Sequence, residues 1–188
     1  MNAALIVIDM QNGFLNPSSP LYIAGAPATV PACRQVIAHS REKGNPVFFV
    51  TRSYTDATVE KARYPVWVSG GRPLSPGCDP GLSAEMPFEV HPGDYHIVKP
   101  RFSAFFATGL DLILRRLGVG HIVLAGTTTP NCIRTTAYDG LSLDYEVTVL
   151  SDCTSSVTDA VQRSNLADLE RVGARIRTSA EYTAETLE

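Results

Sequence analysis

Lysine is scarce in this chain, with three against thirteen arginines, and 19 acidic residues leave a net charge of −3. That balance excludes a general electrostatic grip on nucleic acid or on an anionic membrane. No apolar run approaches the roughly 20 residues that a membrane-spanning helix needs. The N-terminus lacks a basic stretch and enters a strand pattern that ends on Asp9, so no signal peptide is expected. The four cysteines (Cys33, Cys78, Cys132, Cys153) contain no C-x-x-C pair. Their scatter fits a reducing cytoplasm rather than a disulfide framework. His39, His91, His96 and His121 show no ligand spacing, so neither a metal nor another cofactor is expected. No G-x-G-x-x-G follows the first strand and no P-loop is present, while Gly118-Val119-Gly120 precedes a strand. That counts against a non-catalytic cofactor-binding α/β domain, which stays as an alternative together with a non-catalytic interaction module.

What is present is ordinary globular composition: 188 residues, 44% hydrophobic and 19% charged, enough for one domain over residues 1–188. A continuous apolar run at 3–8 and shorter apolar runs at 46–51 and 121–125 read as buried strands, 95–99 and 145–150 as further strands, and 174–178 as a short polar edge strand. Amphipathic stretches at 28–43 and 103–117 end at Gly44 and Gly118, a third follows Cys132, and a last one runs from Ser156 to about Val172. Residues 52–94 carry six prolines and read as a long irregular segment with one short helical piece near 81–86. Alternating strands and helices imply an α/β fold: a doubly wound, six-stranded, mainly parallel sheet in the order 3-2-1-4-5-6, with helices on both faces. Ligands of such sheets sit beyond the carboxyl ends of the strands, where the order reverses. Asp9, Lys99 and the turn Thr127-Thr128-Thr129-Pro130-Asn131-Cys132 all fall there, with Asp9 facing Cys132 across the switch point.

Thr129 as N-cap and Pro130 at the first helical position would put Cys132 in the first turn of a helix, where free N–H groups and the helix dipole lower the expected thiol pKa. The plainer alternative is a small buried apolar side chain. Hydrolysis of an amide needs a strong nucleophile, a proton shuttle and an anion site. Cys132 supplies the first, Asp9 the second, and the amides of Thr128 and Cys132 the third. Lys99 would hold the ionised forms of Asp9 and Cys132 in place. Asp9 also reads as a turn residue and Lys99 as a solvated strand end, so the three must be weighed together.

Asp9-Met10-Gln11-Asn12-Gly13-Phe14, Lys99-Pro100-Arg101-Phe102-Ser103-Ala104-Phe105 and Gly126 to Cys132 resemble, in order and spacing, the three signatures of the isochorismatase-like cysteine hydrolases. The resemblance implies an Asp–Lys–Cys triad at Asp9, Lys99 and Cys132, a non-proline cis peptide at Thr127–Thr128, and a homodimer or homotetramer. Cys132 favours C–N hydrolysis over the vinyl-ether cleavage of isochorismatases proper, which stays as the alternative. Where nicotinamidases carry a metal-binding Asp and His set, this chain reads Arg52-Ser53-Tyr54-Thr55-Asp56. The implied activity is therefore that of the metal-free amidases, with a small amide, ureide or lactam as substrate and a thioester acyl-enzyme. Phe14, Tyr54, Trp67, Arg101 and Phe102 border the motifs and are candidate substrate contacts, with packing as the alternative for each.

Overall fold

The computed structural model describes residues 2–184, so Met1 and residues 185–188 of the expected domain lie outside the described residues. In chain order it contains β1 (Asn2–Ile8), α1 (Asn12–Leu15), α2 (Ala26–Glu42), β2 (Val47–Thr51), α3 (Tyr64–Ser69) and β3 (Tyr95–Val98). There follow α4 (Leu110–Arg116), β4 (Val119–Thr127), α5 (Arg134–Ser142), β5 (Glu146–Ser155), α6 (Asp159–Arg171), β6 (Arg175–Arg177) and α7 (Ser179–Ala184). The six strands are all parallel and lie in the order β3-β2-β1-β4-β5-β6, as the alternation of elements predicts.

The central strands are apolar on both faces because both faces are covered. Ala4, Ile6 and Ile8 of β1 point into one core with Leu110, Leu114, Ile133, Ala137 and Leu169 from α4, α5, α6 and the turn before α5. Leu5 and Val7 point into the other, with Cys33, Val36 and Ile37 of α2 and Tyr182 of α7. All four cysteines are free. No helix among the described residues is long and apolar enough to cross a membrane.

Several boundaries differ from the sequence reading, each for a local reason. Residues 103–109 form turns rather than the first half of a helix. Ala107 has φ 53°, and the Ser103 and Thr108 hydroxyls accept backbone N–H groups there. Thr158, not Ser156, caps α6 by accepting the Val161 N–H. The stretch 52–94 is packed rather than merely irregular. It contains α3 and a single 3₁₀ turn at Pro80–Leu82, and Tyr54, Val59, Trp67 and Leu74 join Phe14, Leu21 and Ile23 in a third apolar cluster. α7 was not anticipated; Asp152 holds its start by accepting the backbone N–H (2.7 Å) and hydroxyl (2.6 Å) of Ser179.

Candidate active site

The strand order brings the carboxyl ends of β1, β2, β3 and β4 to one place. β4 can lie against β1 at that end because Gly126 has no Cβ: one added there would stand 2.0 Å from the Ile8 carbonyl oxygen, at φ +114°. Asp9 follows β1 with φ 54°, a left-handed turn that turns its carboxylate back over the sheet end. Gln11 fastens this loop to the end of β2. Its side-chain oxygen accepts the Arg52 N–H (2.8 Å) and its side-chain nitrogen donates to the Arg52 carbonyl (2.8 Å). Lys99 follows β3, with its own N–H donating to the Thr51 carbonyl.

After β4 the peptide Thr127–Thr128 is cis. The turn that carries Cys132 then differs from the expected helix start. Thr128 is the cap residue, with extended backbone, and Thr129–Ile133 form a wide π-helical turn in which the Ile133 N–H reaches the Thr128 carbonyl. Thr128 and Thr129 hydroxyls donate to the Ser155 carbonyl instead of capping, which pins the turn to the end of β5. Beyond it, Thr136, Ala137 and Gly140 are buried against the sheet.

Asp9, Lys99 and Cys132, separated by up to 123 positions in the chain (132 − 9), meet in one buried cluster. Lys99 Nζ donates to Asp9 Oδ2 at 2.7 Å, to the Arg101 carbonyl at 3.1 Å and to Cys132 Sγ at 3.5 Å. Asp9 Oδ1 is buried and has no hydrogen-bond partner of its own. The thiol does not show the lowered pKa that a helix start alone suggests. Burial pushes it up, Asp9 adds to this by its charge and hydrogen bond, and Lys99 and Arg52 oppose without prevailing. Burial and Asp9 both favour the neutral thiol over the thiolate at Cys132.

Arg52 is the site residue that reading the sequence missed. Its side chain is 1% exposed, with Nη2 3.7 Å from Cys132 Sγ and Nε 3.5 Å from Asp9 Oδ2. Nη1 donates to Tyr54 Oη and to Glu60 Oε1, and Tyr54 Oη in turn donates to Glu60 Oε2 at 3.0 Å. The guanidinium lies 4.9 Å from the Phe102 ring centre, and Arg63 lies 5.7 Å from the same ring. Burial works against the Arg52 charge, but Cys132, Asp9, Tyr54 and Glu60 outweigh it and hold the guanidinium more firmly protonated than usual. A weak signal was available: Arg52, like Lys99, is a charged residue directly after a strand.

The remaining candidates divide. Tyr54 and Phe102 adjoin Arg52, and Arg101 donates to the Thr58 and Pro100 carbonyls while lining a cavity of about 250 Å³ with Phe102, Ser103, Phe106, Thr135 and Asp139. Phe14 and Trp67 lie behind Tyr54 in the third apolar cluster, where Trp67 donates its indole N–H to the Pro73 carbonyl. No three His, Cys, Asp or Glu side chains among the described residues group as metal ligands. The place after β2 is filled by a permanent cation, which would repel a metal ion rather than bind one.

A family model described as Isochorismatase domain matches residues 3–181. The chain belongs to the isochorismatase family. Among curated members, a protein of Arabidopsis thaliana described as a probable inactive nicotinamidase is 34% identical over 98% of this chain and 96% of its own length. The ureidoacrylate amidohydrolase RutB of Caulobacter vibrioides is 30% identical over 95% of this chain and 88% of its own. Among solved isochorismatase-family structures, one from Desulfovibrio vulgaris superposes with a TM-score of 0.90 at 37% identity over 96% of both chains. The N-carbamoylsarcosine amidase of Thermoplasma acidophilum gives 0.79 at 31% identity, over the whole of both.

Proposed function

We propose that this chain is a cysteine-dependent amidohydrolase that cuts a C–N bond, other than a peptide bond, in a small amide, ureide or lactam through a thioester acyl-enzyme. The observation that carries the reading is the single ammonium of Lys99 in contact with both Asp9 and Cys132, among groups sealed from water. The names of the amidohydrolase relatives support the bond type.

The free oxygen of Asp9 takes the thiol proton, and Lys99 and the new thiolate share the field that the carboxylate leaves. The sulfur attacks the substrate carbonyl carbon, and the amides of Thr128 and Cys132 receive the charge that builds on its oxygen. Asp9 returns the proton to the departing nitrogen as the C–N bond breaks, leaving a thioester. Asp9 then takes a proton from water as the water attacks the thioester carbon, the C–S bond breaks to release the acid, and Asp9 passes that proton to the departing sulfur so that the thiol is restored. Burial strengthens every charge contact inside the site.

We place the enzyme in the cytoplasm as a homodimer or homotetramer, with a small molecule as its partner and no role for nucleic acid or membrane. Release of ammonia or amine from a panel of small amides, ureides and lactams tests the activity, with Cys132→Ala as the control. Turnover by Cys132→Ala at the wild-type rate would end this reading.

A further inference from the structure

Arg52 has a more specific part than its place beside the triad requires. The fork of this guanidinium is divided: Nη1 is taken up by Tyr54 and Glu60, whereas Nη2 faces the sulfur and Nε faces Asp9 with no hydrogen-bond partner. Rings of Tyr54 and Phe102 lie against the guanidinium carbon at 5.4 and 4.9 Å, which leaves it little freedom to turn. A buried cation with one edge clamped and the other edge aimed at a nucleophile is costly to build for packing alone.

We propose that Arg52 is a further catalytic residue, a fixed cation that stabilises the Cys132 sulfur as an anion, and that Glu60 is the positioning residue that holds it there. The inference rests on the cysteine mechanism proposed above. When the proton passes from the sulfur to Asp9, the negative charge moves from an oxygen bonded to Lys99 to a sulfur held between Lys99 and Arg52. Two cations then face the one atom that must stay ionised until it attacks. Arg52 neither gains nor loses a proton in this step, and the charge is conserved within the cluster. The groups that face the sulfur are Asp9 after β1, Arg52 after β2 and Lys99 after β3. Tyr54 and Glu60 stand behind Arg52, and Arg63 stands beyond Phe102. Glu60 therefore does two opposing things: it holds the guanidinium in place and subtracts from its field.

That opposition supplies the test. Iodoacetamide serves as the probe, and its rate of reaction at Cys132, resolved from Cys33, Cys78 and Cys153 by peptide mass spectrometry, is followed against pH in the intact protein. Arg52→Met is expected to raise the pH of half-maximal alkylation by about one unit or more. Arg52→Lys is expected to recover most of that shift. Glu60→Gln keeps a hydrogen-bonding group on Arg52 but removes its counter-charge, so its midpoint is expected to fall. A purely structural Arg52 would leave these midpoints where they are. An unchanged midpoint in Arg52→Met overturns the proposal; if that variant does not fold, a midpoint in Glu60→Gln that stays or rises overturns it instead. The alkylation profile requires no turnover, whereas the cysteine mechanism stands or falls on Cys132→Ala in the substrate panel, so the two failures are told apart.

Discussion

Lys99→Met removes the ammonium from a contact whose partners are 0% and 1% exposed at 2.7 Å. The carboxylate of Asp9 would then keep Arg52 Nε at 3.5 Å as its nearest cation, and the Arg101 carbonyl would lose its donor. Breaking a buried pair from one side costs about 3–5 kcal/mol, because the remaining charge is left in a medium that cannot solvate it. Arg52 softens this, so about 3 kcal/mol is expected, a large share of the roughly 5–15 kcal/mol that holds a domain together. Asp9→Asn strands Lys99 in the same way. The double variant Asp9→Asn/Lys99→Met leaves neither charge unpaired and is expected to cost well under the sum, with a coupling of about 2–3 kcal/mol. Urea unfolding followed by Trp67, the only tryptophan and a buried one, gives the four free energies by linear extrapolation. Far-UV circular dichroism must give the same midpoints. Costs that simply add would refute the idea that the two side chains stabilise the fold as a pair. On activity the cycle reads differently: every variant, the stable double one included, is expected to lose at least about a hundredfold in turnover.

The raised thiol of Cys132 makes stability fall at high pH. The folded chain keeps a proton that the unfolded chain gives up above the ordinary thiol value, so unfolding is favoured as pH climbs through that window. Cys153, also pushed up, first by its hydrogen bond to Cys33 and then by burial, acts in the same direction. Cys132→Ala is expected to flatten part of the alkaline slope in a series of thermal melts, and an identical slope would refute this. Gly126→Ala drives a methyl group onto the Ile8 carbonyl at 2.0 Å and is expected to cost about 3 kcal/mol or more, read as loss of soluble folded protein or a lower urea midpoint. Asp152→Ala removes the acceptor at the start of α7 and is expected to lower stability by about 1 kcal/mol with turnover unchanged. Incubation with a chelator is expected to leave turnover intact, and a loss restored by a divalent ion would contradict the reading of the site as metal-free.

The sheet was legible because its central strands β1, β2 and β4 are buried on both faces and therefore written as largely apolar runs, with the more polar β3 and β6 at its edges. Their alternation with helices, under the right-handed crossover rule, leaves few orders to choose from. That Asp9, Lys99 and Cys132 come together was legible for a related reason: Asp9 and Lys99 are charges at strand ends, and Cys132 follows a Gly-Thr-Thr-Thr-Pro turn at the end of β4. Helix starts were less legible. Thr129 has the side chain of an N-cap, yet its hydroxyl finds the Ser155 carbonyl, a partner 26 positions away that no local pattern announces. Residues 52–94 lacked any period because Tyr54, Val59, Trp67 and Leu74 reach their common cluster one at a time, Trp67 from the short helix α3 and the others from loops and turns.

From sequence alone, then, came the architecture, the end of the sheet at which the candidate site gathers, and three residues to look for. Tertiary structure decided the state of those residues. The local argument for a lowered thiol pKa considered only the helix that carries Cys132, whereas burial and the facing carboxylate of Asp9 outweigh it. Arg52 was a strand-end charge in the sequence too, but its place beside Cys132 was decided only when β2 lay beside β1 and Glu60 paired with it. Charge and solvation depend on distances through space, and strand pairing sets those distances between residues that the covalent order keeps far apart.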